Sequence, residues 1–526
     1  MNFSIKVFVF FTINIFSSNP NFGQASQLEF KRLPIIINPD NLLSGITGLE
    51  DTQEDAYNSQ THLGGYYRED WIVFERHNKI SWDHLEKKMR WCAERHTRLT
   101  MRVSQFSGYP YDKDTLRYPV TNNNAYNIYI NNHGLSVGKD GIITKNNKVI
   151  KTGFPQYYFW EMVKEGCNPL IIIGHENDNF YVACPDYNSD LFYKAWYVLN
   201  KKLSKWLKGY LRKGDGTIYY VNNKPIRRKH LIEVMQAGFV GMFGEGWIKQ
   251  YGVFPNNMEK LYRYVRIYPN LFYDIPLSYP LAVCYDKERY GMKGLEYIFS
   301  VRNKHGLSGL YYDVIGQENF HPYFNNSEYG VLLRSLDFNN RRIGGEGSGY
   351  IKSEGLRDLI NHACGACFSG VSLQNFAIYG ERDTPETRHN MKKFKFLVGA
   401  KLHLSDVELK KYKKRYSISF QIQNIGLAKV FSPFWKPYVI FRDEQGNELS
   451  RSIIPIDIKG ILPNSQDCDF VGRPQIVKPI SFDVKIPNNT SFINFAIIDI
   501  YGIYENYWLY NDNRLQNGEY VLYKLN

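Results

Sequence analysis

Residues 238–247 read Gly-Phe-Val-Gly-Met-Phe-Gly-Glu-Gly-Trp, an apolar, glycine-rich run that ends in the carboxylate Glu245. A second stretch, residues 343–349, reads Ile-Gly-Gly-Glu-Gly-Ser-Gly and presents Glu346 in the same Gly-Glu-Gly context. A short apolar run followed by small residues is typical of a buried β-strand that ends in a turn. The two stretches therefore predict two strands of one buried sheet, each carrying a glutamate at its carboxyl end.

Short apolar runs alternate with longer amphipathic segments from about residue 60 to residue 380, a pattern that favours βα units and a parallel sheet or barrel. Helices are predicted at Ser81–His96 and Asp190–Leu211. Eight strands with helices between them fit a (β/α)8 TIM barrel. The predicted strands are Gly64–Val73, Leu99–Val103, Pro169–Ile173, Met235–Phe243, Leu281–Cys284, Gly309–Val314, Arg342–Gly345 and Val371–Ile378. The Pro169–Ile173 run also fits an antiparallel hairpin.

Two long insertions interrupt this pattern. Tyr109–Thr152 is rich in Asn, Tyr and Gly, and Gly209–Lys229 reads as a hairpin around Asn222-Asn223 that carries Arg227, Arg228 and Lys229. Loops of this length in a compact domain are usually functional or disordered.

The pattern changes near Lys395, after which short strand-like runs are separated by turn residues and no long helix is predicted. This favours an all-β sandwich. The predicted strands are Ser417–Ile422, Tyr438–Phe441, Glu448–Ile454, Ile480–Val484, Phe492–Ile500 and Glu519–Leu522. The predicted fold class is therefore α/β, with a (β/α)8 TIM barrel at 26–394 followed by a β-sandwich domain at 395–526.

The first 25 residues have the three-part pattern of a secretory signal peptide. A short basic start precedes the apolar run Val7–Phe16, and Gly23-Gln24-Ala25 places small residues at the cleavage-determining positions. We therefore expect an exported protein that works in the periplasm, at the cell surface or outside the cell. No apolar run long enough to span a membrane follows.

Composition limits the partners of the chain. Its 526 residues include 41 Tyr, 33 Phe and 9 Trp, and the formal net charge is +13. The charge favours anionic partners in general, but the basic residues fall in scattered loops of an exported chain. This argues against nucleic acid and for a carbohydrate partner, with an anionic polysaccharide as one option. Nothing in the sequence indicates an oligomeric state.

A pair of carboxylates facing each other across a cleft is the minimum set for cleaving a glycosidic bond. In a parallel barrel the carboxyl ends of the strands meet at the active-site mouth, which is where Glu245 and Glu346 are predicted. Taken singly, each glutamate is more simply an ordinary loop residue. Their shared context at the fourth and seventh predicted strands favours catalysis.

With these motifs the chain resembles the retaining (β/α)8-barrel glycoside hydrolases of the large clan A type. More closely, the Gly238–Trp247 stretch, the second Gly-Glu-Gly stretch and the all-β tail are similar to secreted bacterial barrel-plus-β-sandwich proteins of mostly unassigned activity. The resemblance implies that Glu245 is the general acid/base and Glu346 the nucleophile. It also implies that Arg102 lies beside the nucleophile and that Tyr311 or Tyr312 hydrogen-bonds it.

The chain departs from the pattern of those hydrolases at two places. Gly244 stands where the clan has an Asn directly before the acid/base, and the eighth strand offers Gln374, Asn375 and Phe376 instead of a Trp. These departures leave a second hypothesis open, a non-catalytic glycan-binding or surface-assembly protein on a barrel that has lost the chemistry.

Further polar and aromatic residues are predicted near the mouth. Arg68 and Asp70 lie on the first predicted strand and either bind substrate or form a buried salt-bridged layer. Trp247 offers an aromatic face to a sugar ring or packs in the core. Asp313 follows the sixth strand, and Asn375 lies at the eighth.

Cofactor and metal signals are weak. Cys364 and Cys367 form a lone Cys-Gly-Ala-Cys, which fits a local disulfide, a redox pair or half a metal site. No second such pair and no His pair completes a zinc site. We therefore expect neither a metal nor a cofactor.

Overall fold

The structure is a computed structural model of the whole chain. It describes residues 49–51, 64–76, 79–106, 114–121, 123–174, 179–246, 252–315, 341–347, 370–372, 384–386, 400–412, 415–426, 429–461, 478–503, 506–507, 509, 511 and 515–525. At 49–51, 64–66, 285, 287, 312–315, 343, 345–347, 370–372 and 412 the description extends to the backbone alone.

Eight parallel strands form a sheet that closes on itself, because the last strand pairs with the first. They are β1 (Leu49–Asp51), β2 (Gly64–Asp70), β3 (Leu99–Ser104), β4 (Ile232–Gln236), β5 (Leu277–Pro280), β6 (Gly309–Ile315), β7 (Ile343–Gly347) and β8 (Gly370–Ser372). The strands are staggered relative to one another. A path that follows paired residues around the sheet returns to its starting residue only after it moves four residues along β2, two along β6 and two along β7. This is the stagger typical of an eight-stranded α/β barrel.

Helices lie in four of the connections between these strands within the described part of the chain. They are α1 (Asp83–Glu94), α2 (Asn124–Asn132), α3 (Gln156–Lys164), α4 (Asp190–Leu207), α5 (Met258–Leu271) and α6 (Lys287–Phe299), with a single turn at Trp71–Phe74. The predicted helix at Asp190–Leu211 thus ends four residues earlier. Ser189 caps it by accepting a hydrogen bond from the Phe192 backbone N at 3.0 Å.

The strand predictions need four corrections. The predicted strand Gly64–Val73 ends at Asp70, because Trp71–Phe74 forms a helical turn. The Leu170–Ile173 run is not a barrel strand, because it pairs antiparallel with Phe180–Cys184 in a separate sheet. The barrel has β1 as its first strand, which the sequence pattern does not predict. The strands predicted as fourth and seventh therefore keep those positions. The Leu281–Cys284 run forms a 3₁₀ helix, Leu281–Asp286, after β5. The predicted Met235–Phe243 strand ends at Gln236.

The first insertion is an ordered subdomain between β3 and α4. Its six-stranded sheet contains Asp114–Thr115, Ser136–Val137, Ile143–Lys145, Lys148–Thr152, Leu170–Ile173 and Phe180–Cys184. The subdomain reaches the carboxyl ends of the barrel strands, where Ile72 donates its backbone N–H to the Gly153 carbonyl at 2.8 Å. The second insertion contains the hairpin Tyr220–Val221 and Lys224–Pro225, followed by a 3₁₀ turn at Arg228–Leu231. Two further two-residue hairpins pair Glu75–Arg76 with Lys79–Ile80 and Arg302–Asn303 with Gly306–Leu307.

Two antiparallel sheets follow the barrel and share one apolar core. One sheet contains β9 (Leu402–Tyr412), β10 (Arg415–Asn424) and β13 (Lys478–Val484), and the other β11 (Trp435–Arg442), β12 (Glu448–Ile453), β14 (Phe492–Asp499) and β15 (Tyr520–Lys524); a 3₁₀ turn covers Ile458–Gly460. The ring of Phe420 lies 5.6 Å from that of Phe495 across the two sheets. This face-to-face packing is that of a β-sandwich.

A buried ion pair joins the β-sandwich to the barrel. Arg98 Nη2 donates to Asp499 Oδ2 at 2.6 Å, and both side chains have an exposed fraction of 0%. The Arg98 guanidinium also lies over the Phe434 ring, and His230 stacks on Tyr501 with ring centroids 3.6 Å apart. Arg98 and His230 precede β3 and β4, so this contact lies at the amino ends of the strands, away from Glu245.

His230 makes this contact sensitive to acid. Burial lowers the pKa of His230 to about 4, and the neighbouring Lys229 and Arg98 act in the same direction. In the unfolded chain a histidine titrates near pH 6.5. Between these values the unfolded chain binds a proton that the folded protein does not, so stability falls as the pH drops from about 6.5 towards 4. We expect the urea midpoint to fall over this range, and to fall less in His230→Phe, which keeps a ring against Tyr501. An equal fall in both proteins would contradict this account.

Several predictions concern residues outside the described ranges. The signal peptide at 1–25 and the pair Cys364 and Cys367 are among them. Within the described residues, no helix has the length and apolar character needed to cross a membrane.

Candidate functional site

Glu245 lies in a tight turn that follows β4. Residues Gly241, Phe243, Gly244 and Gly246 all have positive φ angles, between 57° and 82°. The turn is pinned by backbone hydrogen bonds, including one from Phe243 N to the Phe106 carbonyl at 2.9 Å. The apolar residues of Gly238–Trp247 that the structure describes are therefore buried in a turn, which explains why the run resembles a strand in sequence.

The glycine before Glu245 is required by two independent features. Gly244 has φ +69°, and a Cβ at this position would lie 2.4 Å from the Gly238 Cα. The Asn that the resembling hydrolases place here would therefore not fit this turn. Gly244 is thus a structural requirement of this chain.

We expect Gly244→Ala to destabilise the protein by about 1–3 kcal/mol or more, because the left-handed backbone and the close contact both penalise a side chain. The urea midpoint of unfolding measures this change. Gly214→Ala is the matched control, since a Cβ there would meet nothing within 4 Å, and should change stability by less than about 0.5 kcal/mol. Equal stability of the two variants would show that the turn around Glu245 differs from the one described.

Two arginines from neighbouring strands bind Glu245. Arg102 Nη1 on β3 donates to Glu245 Oε1 at 2.8 Å, and Arg68 Nη1 on β2 lies 3.4 Å from the same oxygen. The exposed fraction of the Glu245 side chain is 1%, as is that of Arg102. Charged hydrogen bonds of this kind are strong when buried, so the arginines fix the position of the carboxylate.

The second oxygen of Glu245 differs from the first. Oε2 is buried and has no hydrogen-bond partner among the residues that the structure describes. An unsatisfied buried carboxylate oxygen costs free energy, and in native proteins such an atom is often explained by a catalytic role. The arrangement holds one oxygen in place and leaves the other available to a donor or a proton.

Tyr311 supports the same turn from β6. Its hydroxyl lies 3.1 Å from both the Ala237 and the Gly244 carbonyl oxygens, and its ring lies under the Arg102 guanidinium at 4.7 Å. The Arg68 guanidinium lies over the Phe243 ring in the same way, also at 4.7 Å. Tyr311 is thus a positioning residue for the turn and for Arg102.

Asp70 lies at the end of β2, beside the end of β3. Its Oδ1 accepts a hydrogen bond from Ser104 Oγ at 2.8 Å. A Cβ on Gly153 would lie 2.8 Å from its Oδ2. Asp70 therefore lies between the barrel and the first insertion.

The backbone register places Glu346 on the inner face of the barrel. Gly344 pairs with Tyr311, and Glu346 is two residues further along β7, so its position shares a face with Tyr311. Glu346 pairs with Ser372, which pairs in turn with Glu50 of β1. Position 50 was missed because the three-residue run Leu49–Asp51 has no sequence pattern of its own.

The remaining predicted residues are described in part or not at all. Tyr312 and Asp313 are placed by their backbone within β6. Trp247 and Asn375 lie outside the described residues. The structure adds Arg342, whose Nη2 lies 3.4 Å from Thr100 Oγ1 in the barrel interior, where Thr100 is two residues before Arg102. The sequence pattern does not single out Arg342, because charged residues are common at strand ends.

Metal ligands are not grouped in the described part of the chain, where no three His, Cys, Asp or Glu side chains come together. Among the described side chains, the charged groups that meet at the candidate site are the Glu245 carboxylate and the Arg102 and Arg68 guanidinium groups. This donor set suits hydrogen bonding to hydroxyl groups and proton transfer.

Comparisons with known proteins give distant matches. No model of a protein family and no curated protein matches the sequence. Among solved structures, an α-amylase from Lactobacillus plantarum is 7% identical with a TM-score of 0.28, and the alignment covers 83% of this chain and 98% of that chain. The cyclomaltodextrin glucanotransferase CldA is 10% identical with a TM-score of 0.23, covering 82% of this chain and 81% of that chain. Similarity at this level supports no inference about this chain.

Proposed function

We propose that this chain is an exported glycoside hydrolase that cleaves a poly- or oligosaccharide with Glu245 and Glu346 on a complete (β/α)8 barrel. The observation that carries the proposal is the buried Glu245 carboxylate at the carboxyl end of β4. Arg102 and Arg68 bind its Oε1, and its Oε2 has no partner within the described part of the chain. A catalytic carboxylate needs this combination of fixed position and one available oxygen.

In the proposed reaction Glu245 donates a proton from Oε2 to the glycosidic oxygen while the bond from that oxygen to the anomeric carbon breaks. Glu346 attacks the anomeric carbon and forms a glycosyl-enzyme ester. Water then attacks the ester, Glu245 accepts its proton, and Glu346 is released. A carboxyl separation of about 5–5.5 Å goes with this retaining route, and about 6.5–9.5 Å with inversion.

The test is a panel of neutral and acidic polysaccharides and aryl glycosides incubated with the full chain, with reducing-end release and product anomers as the readouts. The proposal expects turnover of at least one substrate that is lost in both Glu245→Gln and Glu346→Gln. Turnover that survives both substitutions would reject the glutamate pair.

The second candidate function is glycan binding without cleavage. The observation that favours it is the 1% exposure of Glu245, since a catalytic acid must reach its substrate. Binding of a glycan by the parent protein with no turnover across the panel would support this candidate.

A further inference from the structure

Most of the net charge of the chain is concentrated in one segment. Residues 191–232 contain eleven Lys and Arg residues and a single acidic residue, Asp215, whereas the whole chain has a formal net charge of +13. Two of these cations are paired with carboxylates of other elements, Arg228 with Glu86 and Lys229 with Asp274. The others have no ion-pair partner among the described residues.

The exposed side of α4 is lined with lysines. Lys194, Lys201, Lys205 and Lys208 are all exposed and are spaced so that they lie in one stripe. The opposite side is buried and includes Trp196. Like charges four residues apart destabilise a helix, and the helix dipole compensates only within the last turn. A purely solvated face would carry acidic residues between the lysines, and this one carries none.

The stripe continues onto the second insertion. Arg227 donates to the Lys208 carbonyl at 2.7 Å, which holds the hairpin against the end of α4. The hairpin exposes Arg212, Lys213 and Lys224. We refer to these seven exposed cations as the cationic track: Lys194, Lys201, Lys205, Lys208, Arg212, Lys213 and Lys224.

The track begins close to the candidate site. Tyr187, three residues before α4, accepts a hydrogen bond from Gly241 N at 2.6 Å, and Gly241 belongs to the turn that carries Glu245. From Lys194 to Lys208 the helix is about 21 Å long at 1.5 Å per residue. A single small anion cannot span that length, so the matching ligand is a polymer with repeated charges.

We propose that the cationic track binds an acidic polysaccharide, with uronate or sulfate groups on the lysines, and guides the chain towards the barrel mouth. This deepens the proposed function and rests on it for the identity of the polymer as substrate. Six of the seven cations are lysines, which present compact point charges on flexible stems. Tyr210 and Tyr220 add exposed rings beside the track, with exposed fractions of 37% and 53%. On the helix itself Val198 is the one exposed large apolar side chain, too little for insertion into a lipid surface.

The test compares two triple variants of the full chain that change net charge equally. One is Lys201→Glu, Lys205→Glu and Lys213→Glu on the track, and the other is Lys436→Glu, Lys478→Glu and Lys485→Glu on the exposed surface of the β-sandwich. Binding to polygalacturonate is measured by titration calorimetry, with dextran, anionic phosphatidylglycerol vesicles and duplex DNA as the other probes. We expect the track variant to lose at least about tenfold in affinity and the sandwich variant to lose much less, with parent affinity falling steeply between about 50 and 200 mM salt.

Equal losses in the two triple variants would overturn the proposal, because net charge alone would then explain binding. Tighter binding of the parent to vesicles or to DNA than to polygalacturonate would overturn it in favour of a lipid or a nucleic acid, and no binding to polygalacturonate would also reject it. Binding is measured in Glu346→Gln as well. If Glu346→Gln binds polygalacturonate through the track and the parent protein turns over no substrate, the inference stands and the hydrolase proposal is rejected. If the parent protein turns over neutral glycans alone, the hydrolase proposal stands and the inference is rejected.

Discussion

Asp499→Asn is expected to lower the free energy of unfolding by about 3–5 kcal/mol, because it removes the buried carboxylate that pairs with the Arg98 guanidinium. Both side chains are fully buried where the β-sandwich meets the barrel, and the N–O distance is 2.6 Å. The Asn side chain is nearly isosteric, but both Asp499 oxygens accept hydrogen bonds, Oδ2 from Arg98 and Oδ1 from Tyr501 N, so the change removes the charge and one acceptor. The measurement is urea unfolding followed by fluorescence and by circular dichroism, which reveal whether the two parts unfold together.

The control is an exposed ion pair of similar geometry. Glu259 and Arg266 lie 2.7 Å apart with side-chain exposed fractions of 71% and 45%, so Glu259→Gln should cost less than about 1 kcal/mol. A double change, Arg98→Met with Asp499→Leu, should recover much of the loss, since an apolar pair avoids the desolvation of both charges. A cost in Asp499→Asn no larger than in the control would mean that water reaches this interface.

The outcome of the barrel prediction shows which features of a fold hydrophobic patterning can predict. Glu245 and Glu346 were assigned to the fourth and seventh strands, and the structure places them after β4 and within β7. The count was correct although one strand was misassigned and another missed. Leu49–Asp51 is too short for any period, and Leu170–Ile173 has the composition of a buried strand in either a parallel or an antiparallel sheet. Pairing depends on contacts distant in sequence, which local patterning cannot supply.

The candidate site shows a second limit of prediction from sequence. Arg102 is singled out only by the resemblance, which places it beside Glu346. The structure brings Arg102 to Glu245, a contact that the resemblance does not predict, and the Glu346 side chain is outside the described ones. Which carboxylate an arginine reaches depends on the path of the turn at 237–246, and that path is set by backbone angles at Phe243 and three glycines. Strand assignment predicts which face a residue occupies, and loop geometry decides its partner.

Glu245→Gln is expected to lower kcat/KM on unactivated glycosides by about 10²–10⁴-fold, the usual contribution of a positioned general acid. The effect should depend on the leaving group. An aryl glycoside with an acidic phenol needs little protonation as it departs, so its hydrolysis should fall far less than that of an alkyl glycoside or polysaccharide. Glu346→Gln should reduce turnover of all these substrates, because every one of them needs the nucleophile.

This leaving-group dependence separates catalysis from structure, which is necessary because Glu245 also accepts a hydrogen bond from Arg102. Losing that partner destabilises the protein, and a partly unfolded enzyme would be slower on every substrate alike. Rates are therefore compared at a temperature where circular dichroism shows each variant folded. Arg102→Lys, which keeps a positive charge but loses the guanidinium geometry, provides the positioning control. A uniform loss on all leaving groups in Glu245→Gln, matched by that in Arg102→Lys, would assign Glu245 to holding the barrel mouth together and would remove it from the role of proton donor.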